Sequence, residues 1–256
     1  MEDFSHRSGA ALVLGASGGL GKATARMFIE RGSDVALTYF RSHSALDEVL
    51  AAARTHGRGA KTWQLDLSDA ASASEVVAQA AAEFGGIHTL VYAAGPHVPM
   101  RHLSKVDPVD FKRQVVDDVA GFFNATHAAL PHLRETRGSV VAITSAGTAR
   151  YPVRDGMSVG PKGAVEALVR GIAAEEGRYG VRANCVGPGM TTDGMAARLI
   201  GNGELDDHAL DVARGRIPLG TFGDADDIAE AVCFLASDRA DFISGQKLDV
   251  DGGYGV

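Results

Sequence analysis

The stretch LVLGASGGLGKAT, residues 12–24, joins a short apolar run to a helical pattern through a turn that is rich in glycine. Glycines at positions 15, 19 and 21 allow positive φ angles and let backbone N–H groups approach an anion at the start of a helix. A turn of this kind, directly after a strand and at the opening of a helix, is the context of a dinucleotide-binding βαβ unit. The stretch therefore predicts a strand, a pyrophosphate-binding turn and a helix.

Apolar runs of strand length alternate with helical patterns along the rest of the chain. We predict strands within seven segments, namely 10–15, 33–40, 60–69, 87–95, 138–144, 181–189 and 245–253. The longest helical pattern starts with Asp107 as the expected cap and Pro108 as the first helical residue. Because strands alternate with helices, we expect a parallel sheet that is covered on both faces. The prediction is an α/β fold with one Rossmann-type, doubly wound parallel sheet of about seven strands, in a single domain spanning residues 1–256.

Composition argues against several classes of function. The net charge is −7 and no basic block is present, so nucleic acid is not an expected partner. The longest apolar runs fall far short of a bilayer span, and the first residues lack the layout of a signal peptide, so we expect no membrane association and a cytoplasmic location. The nine histidines are dispersed, and no metal site is predicted. Cys185 and Cys233 lie in no C-x-x-C pair and are expected to be buried, reduced thiols.

The end of the second predicted strand bears on the choice of dinucleotide. An acidic residue at this place would bind a ribose 2′-hydroxyl and repel a 2′-phosphate. Here Arg41 and Ser42 follow the strand, and the next acid is Asp47. Arginine and serine side chains suit a 2′-phosphate, so NADPH is predicted as the cofactor in preference to NADH. The alternative is that Arg41 is a solvated loop cation.

With these segments in place, the chain resembles the short-chain dehydrogenase/reductase family over nearly its full length. The turn at 15–21 is similar to the family's T-G-x3-G-x-G pattern, with Leu14 where threonine is usual. DLSD at 66–69 resembles the segment that binds the adenine amine, and YAAG at 92–95 stands for the family's N-N-A-G. GPGMTTDG at 187–194 resembles the loop beside the nicotinamide, where Thr191 or Thr192 would touch the carboxamide.

The resemblance implies a set of cofactor-binding residues: Gly15, Ser17, Gly19, Leu20, Gly21, Arg41, Ser42, Asp66, Leu67, Ala94, Gly95, Lys162, Pro188, Gly189 and Thr191. It also implies a homotetramer or homodimer that packs through the helices at 107–134 and 158–177.

The family's catalytic set of Asn, Ser, Tyr and Lys is only partly present. By resemblance, Ser145 matches the serine and Lys162 the lysine. Four residues before the lysine, where the family has tyrosine, the chain has Ser158, and Asp118 occupies the asparagine position. The spacing of the family's enoyl-ACP reductases, with tyrosine seven residues before the lysine, leads to Asp155 instead. Neither spacing supplies a phenol.

These replacements favour a particular chemistry. A serine hydroxyl is a far weaker acid than a lysine-activated tyrosine, so Ser158 is a poor proton donor for a ketone. Reduction of a C=C bond conjugated to a thioester makes an enolate, which needs directed hydrogen-bond donors. Ser145 and Ser158 would be those donors, and Asp118 would assist Lys162 or relay a proton. The family's 2,4-dienoyl-CoA reductases and its cyclohexenylcarbonyl-CoA reductases resemble this arrangement. The sequence therefore predicts an NADPH-dependent reductase of an enoyl thioester on CoA or acyl carrier protein.

Two alternatives remain open. Tyr151, on the loop before Ser158, or another acid would restore reduction of a 3-oxoacyl thioester or cyclic ketone. Otherwise Ser158 and Lys162 would be relics in a non-catalytic NADPH-binding protein. Tyr92 is interpreted as a packing residue. His97 and Arg101 are interpreted as loop residues that either contact substrate or are solvated. By resemblance, the acid-rich segment 203–211 lies in the substrate-loop region, and the alternative is that it is the solvated start of a helix.

Overall fold

The structure is a computed structural model that describes residues 2–95, 98–192 and 207–256. The described residues form a parallel seven-stranded sheet in the order β3-β2-β1-β4-β5-β6-β7. The strands are β1 Ala10–Leu14, β2 Asp34–Tyr39, β3 Ala60–Gln64, β4 Ile87–Tyr92, β5 Ser139–Ile143, β6 Arg182–Pro188 and β7 Lys247–Val250. The predicted α/β fold with a doubly wound parallel sheet is confirmed.

Helices cover both faces of this sheet. They are α1 Gly19–Glu30, α2 Asp47–Thr55, α3 Ala70–Phe84, α4 Pro108–Val115, α5 Gly121–Thr136, α6 Gly156–Glu176, α7 Asp207–Arg214 and α8 Ala225–Ala236. The two faces follow from the alternation of side chains along each strand. Ala11 and Val13 of β1 join the core under α1 and α8, whereas Leu12 and Leu14 join the core under α3, α5 and α6.

The long central helix differs from its prediction. A π-helical turn at Val116–Ala120 separates α4 from α5, and α5 continues to Thr136. A side chain that enters the hydrogen-bond ladder of a helix is one cause of such an interruption. Here the hydroxyl of Tyr92 donates to the backbone carbonyl of Asp118 at 2.9 Å, inside the π turn. The turn therefore places Asp118 where β4 ends.

The sheet brings the predicted site residues to one edge. β1 pairs with β2 on one side and β4 on the other, so the strand order reverses between β1 and β4. In sheets of this type ligands bind beyond the carboxyl ends of the strands, at the reversal point. The glycine turn, the residues after β4, Ser145 and Gly189 all lie at these ends.

Three further expectations concern the rest of the fold. Cys185 and Cys233 are both buried, as predicted, and burial raises the pKa of the Cys185 thiol to about 12. Among the described residues, no helix has the length and apolar character needed to span a bilayer. Within the same residues, no cluster of three His, Cys, Asp or Glu side chains has the arrangement of a metal site.

Candidate active site

The glycine turn between β1 and α1 is shaped by close backbone contacts. Gly15 has a φ of 76°, and a Cβ at this position would lie 2.7 Å from the Cα of Ala94. A Cβ on Gly21 would overlap the carbonyl oxygen of Gly15. The N-cap of α1 is Gly18, which has no side chain to occupy the first amides, and the first turn contains no acid. These free N–H groups at a helix N-terminus fit the pyrophosphate of a dinucleotide.

The residues expected at the adenosine end lie on exposed loops after β2 and β3. Arg41 and Ser42 are exposed, and the Arg41 guanidinium lies 5.2 Å from the ring of Phe40. The Oδ1 atom of Asp66 accepts hydrogen bonds from Ser68 N at 2.9 Å and Ser68 Oγ at 2.7 Å. Its second oxygen takes no part in these bonds, and the resemblance predicts that it accepts a hydrogen bond from an adenine amine. These assignments stay predictions.

The loop after β6 is tied to the start of α8. Pro188 ends the strand, and a Cβ on Gly189 would stand 2.6 Å from the Cα of Asp251. Thr191 forms an isolated β-bridge with Gly223 and is buried. The backbone of the predicted nicotinamide loop is therefore fixed as far as residue 192. Residues 203–206 of the acid-rich segment 203–211, and also His97, lie outside the described residues.

Lys162 and Asp118 form a buried ion pair at the centre of the site. Lys162 Nζ lies 2.9 Å from Oδ1 of Asp118 and 3.2 Å from the carbonyl oxygen of Ala94. The exposed fractions of the two side chains are 11% and 1%. An ammonium has three N–H donors, so one remains after these two bonds. That donor is available for a ribose hydroxyl.

Tyr92 is the third member of this group. Its hydroxyl lies 2.9 Å from both the backbone oxygen and Oδ1 of Asp118, and its ring packs edge-on against Phe122. Lys162 Nζ stands 5.1 Å from the centre of the same ring. Burial, followed by the charge of Asp118, raises the pKa of the Tyr92 phenol well above its usual range. The sequence-based interpretation of Tyr92 as packing missed this polar role. The replacement of asparagine at both positions 92 and 118 was the available signal.

Ser145 follows β5 and caps a short 3-10 turn. Its Oγ accepts a hydrogen bond from the backbone N–H of Gly147 at 3.0 Å, which leaves the hydroxyl proton free to be donated. Its carbonyl oxygen accepts a hydrogen bond from Lys247 Nζ at 3.0 Å. Lys247 reaches Ser145 from β7 and also lies 3.5 Å from Glu166 on α6. Lys247, which itself lies beside Glu166, therefore holds the Ser145 backbone in place.

Ser158 lies in the first turn of α6, one turn before Lys162. Residues four apart share a helix face, so the predicted spacing is confirmed. The helix starts two residues earlier than expected, at Gly156. A Cβ on Gly156 would stand 2.6 Å from the Tyr151 hydroxyl and would overlap Leu103. The Tyr151 hydroxyl thus packs on the turn that carries Ser158, although the residue is 49% exposed.

Asp155 is the residue at the N-cap of α6. Its side chain makes no capping hydrogen bond and is half-buried. Burial raises the pKa of its carboxyl to about 6. Sequence reasoning set this residue aside because it is not a tyrosine, and only the surroundings of its side chain reveal an unusual acid. Arg101 lies beside it through an isolated β-bridge and is exposed.

The described arrangement has three chemical capabilities. A fixed cation and free helix amides suit a dinucleotide. Two serine hydroxyls, Ser145 and Ser158, supply hydrogen-bond donors for a substrate oxygen. Two ionisable groups, Tyr151 and Asp155, flank Ser158 on its N-terminal side and are candidates for proton transfer.

Comparisons with known proteins agree with this fold. A family model described as Enoyl-(Acyl carrier protein) reductase matches residues 15–255. A short chain dehydrogenase from Burkholderia cenocepacia, solved in complex with NADP, is 31% identical and superposes with a TM-score of 0.89 over 98% of this chain and all of that one. The chain belongs to the short-chain dehydrogenase/reductase family. The resemblance inferred from the motifs is thereby confirmed at the level of the family.

Two curated relatives of this short-chain dehydrogenase/reductase bear on its chemistry. Cis-4-hydroxycyclohexanecarboxylate dehydrogenase from Sinomonas cyclohexanicum is 34% identical, over 99% of this chain and 98% of the relative. A 3-oxoacyl-[acyl-carrier-protein] reductase from Staphylococcus aureus is 32% identical, over 95% of this chain and 96% of the relative. The chain is therefore an oxidoreductase of this family, and the finer assignment to enoyl reduction is not confirmed.

Proposed function

We propose that the protein is an NADPH-dependent carbonyl reductase that interconverts a ketone and a secondary alcohol, on a carbocyclic ring or at C3 of an acyl thioester. The observation that carries this proposal is full-length similarity to relatives whose names specify a hydroxy or oxo group. This is the alternative that the sequence left open, and it replaces enoyl reduction as the leading hypothesis.

The geometry supports carbonyl reduction because it offers other proton donors in place of the missing tyrosine. Ser158 is too weak an acid to protonate a forming alkoxide, but Tyr151 and Asp155 both lie at the same end of α6. When bound, the nicotinamide supplies a hydride to the carbonyl carbon. Ser145 and Ser158 donate hydrogen bonds to the carbonyl oxygen, and Lys162, anchored by Asp118, orients the ribose.

The preference for NADPH rests on the loop after β2. Arg41 and Ser42 are exposed there, and the first acid beyond them is Asp47. A solved relative with 31% identity binds NADP. An exposed guanidinium next to a hydroxyl suits the 2′-phosphate that distinguishes NADPH from NADH.

Reduction of an enoyl thioester is the second candidate. Ser158 in the family's tyrosine position favours it, because an enolate needs hydrogen-bond donors more than a strong acid. The matching family model, described as Enoyl-(Acyl carrier protein) reductase, also supports it. The acyl carrier in this case would be CoA or acyl carrier protein.

The test is NADPH oxidation against a matched panel. Ketones are represented by 4-oxocyclohexanecarboxylate and acetoacetyl-CoA, and enoyl thioesters by crotonyl-CoA and cyclohexenylcarbonyl-CoA. We expect turnover with at least one ketone and little with the enoyl thioesters. Turnover with the enoyl thioesters alone would make the second candidate correct. NADPH binding without turnover of any compound would favour a non-catalytic protein.

We also propose a homotetramer or homodimer that packs through α4, α5 and α6. The support is a set of large apolar side chains exposed on α4, the π turn and α5: Val109, Phe111, Val116 and Phe123. Burial of such a patch between copies removes apolar surface from water. Light scattering coupled to size exclusion tests this, and a monomer at micromolar concentration would refute it.

A further inference from the structure

The N-terminus of α6 places a third polar residue in line with Ser158 and Lys162. Asp155 precedes Ser158 by three residues and Lys162 by seven. Residues at i, i+3 and i+7 share one face of a helix because each turn takes 3.6 residues. The face of α6 that presents Ser158 and Lys162 to the site therefore begins at Asp155.

Asp155 does not perform the structural task that its position predicts. Aspartate is among the preferred N-cap residues because its carboxylate accepts hydrogen bonds from the first helical amides. Asp69, Asp107 and Asp224 make such bonds in this protein. The Asp155 side chain makes none, and burial is the cause of its raised pKa. Its carboxyl is half-buried at the start of α6 and has no hydrogen-bond partner among the described residues.

The charged surroundings of Asp155 are sparse. Arg154 precedes it and donates a hydrogen bond to the carbonyl of Met100 at 3.2 Å. Arg101 is paired to it through the backbone and is exposed. Burial is the cause of the raised pKa, to about 6. The positive N-terminal end of α6 favours the carboxylate and therefore opposes this rise in pKa. For this reason the experiment includes a direct titration of the Asp155 carboxyl.

We propose that Asp155 is the catalytic acid of this enzyme, donating its carboxyl proton to the substrate oxygen during carbonyl reduction. The inference rests on the proposed function. In this step the carbonyl carbon gains the hydride of the reduced dinucleotide, and the C=O π pair moves to oxygen. The O–H bond of Asp155 breaks and the proton passes to that oxygen. The products are the alcohol, the oxidised dinucleotide and the carboxylate, which takes a new proton from water.

This assignment explains why serine is sufficient at position 158. A general acid works best when its pKa lies close to the working pH, and the Asp155 carboxyl meets that condition. A phenol needs a nearby cation to serve as an acid near neutral pH. The candidate cation, Lys162, already donates hydrogen bonds to Asp118 and to the carbonyl of Ala94. Ser158 then only has to position the oxygen that Asp155 protonates.

The experiment compares Asp155→Asn and Asp155→Glu with wild type on the best ketone of the panel. In the reduction direction, wild-type kcat/KM should fall as pH rises through about 6, because the acid form is lost. Asp155→Asn should lower kcat by about 100-fold or more and abolish this limb. NADPH affinity, read from nucleotide fluorescence, should stay within about twofold. Asp155→Glu should retain a limb at a shifted pH. The control is the exposed Asp241→Asn, which should leave rate and profile unchanged.

A second readout needs no turnover. Carbon-13 NMR of carboxyl-labelled aspartate should show one resonance titrating near pH 6 that is missing from Asp155→Asn. The proposal is overturned if Asp155→Asn keeps the rate and the limb while Tyr151→Phe loses both, which would make Tyr151 the acid. It is overturned also if the Asp155 carboxyl titrates near 4. A wild-type enzyme that reduces no ketone refutes the proposed function itself. An active wild type with an unaffected Asp155→Asn variant refutes only the role of Asp155.

Discussion

Lys162 and Asp118 are joined by a buried ion pair of 2.9 Å between Nζ and Oδ1. Removing one partner from a buried pair leaves an uncompensated charge, which typically costs about 3–5 kcal/mol. In the proposed function this ammonium orients the ribose of the dinucleotide, so we expect stability and cofactor orientation to depend on the same contact.

Asp118→Ala should destabilise the fold by about 3 kcal/mol and lower kcat strongly, because Lys162 loses its buried counter-charge. The matched control is Asp110→Ala, which removes the exposed partner of Arg113 at 2.8 Å. An exposed pair contributes at most about 1 kcal/mol. Urea denaturation measures both. Equal losses in the two variants would show that the buried pair has no special role.

Tyr92→Phe should keep the aromatic packing while removing the hydrogen bonds to Asp118. A buried acceptor that loses its donor costs about 1–3 kcal/mol. We expect a similar drop in the free energy of unfolding, together with a lower kcat, because Asp118 is less firmly held. Thermal denaturation and steady-state kinetics test this. Unchanged stability and kinetics would show that Tyr92 contributes only by packing.

Gly156→Ala tests the contact between the start of α6 and the loop that carries Tyr151. The added Cβ would overlap Leu103 and lie 2.6 Å from the Tyr151 hydroxyl, so both side chains must shift. Because both are about half exposed and can move, we expect a loss of only about 1 kcal/mol, together with reduced turnover. Gly160→Ala, on the same helix, meets only the ring of Phe111 at 3.9 Å. There alanine should be neutral or stabilise the helix by up to about 1 kcal/mol. Equal behaviour of the two variants would refute the packing argument.

The double change of Arg41→Ala and Ser42→Ala tests the choice of cofactor. We expect the KM for NADPH to rise about tenfold while the KM for NADH stays unchanged, because only the 2′-phosphate loses its partners. Arg54→Ala removes another exposed arginine, in the last turn of α2, and serves as control. If both nucleotides were affected equally, Arg41 would be a general electrostatic contact.

Asp155 should also affect the dependence of stability on pH. Its pKa is raised from 3.8 to about 6 in the folded state, so its contribution is fully present below pH 3.8 and is lost as pH rises to about 6. Two pKa units correspond to at most about 3 kcal/mol. The free energy of unfolding of Asp155→Asn should therefore rise relative to that of wild type between pH 4 and 6. Above pH 6 the difference between the two proteins should be constant. A difference that is independent of pH would contradict the shift.

The sequence predicted those parts of the site that depend on local pattern. The glycine turn and the spacing of Ser158 and Lys162 are short-range features of strand-turn-helix and helix geometry, and the structure contains them. The partnership of Tyr92 with Asp118 joins residues that are 26 positions apart, and no local pattern reports it. The same contact lies inside the π turn at 116–120, which interrupts the helix that the sequence predicted as unbroken.

Asp155 illustrates a second limit. Its residue type at an N-cap predicts a solvated capping carboxylate, and the half-buried environment arises from the loop that carries Tyr151 and from the segment around Arg101. Burial by distant segments therefore decides its acidity. If Asp155 is the proton donor that we propose, the choice between ketone and enoyl substrates depends on this acidity, and the sequence favoured the enoyl reaction because it did not reveal that acid.

The most direct measurement of the central claim is the location of deuterium after reduction with NADPH deuterated at C4. The enzyme is given an equimolar mixture of 4-oxocyclohexanecarboxylate and cyclohexenylcarbonyl-CoA, and the products are separated and examined by NMR. Carbonyl reduction predicts deuterium on the carbinol carbon of the hydroxy acid. Deuterium at the β carbon of a saturated thioester, with the ketone untouched, would contradict it.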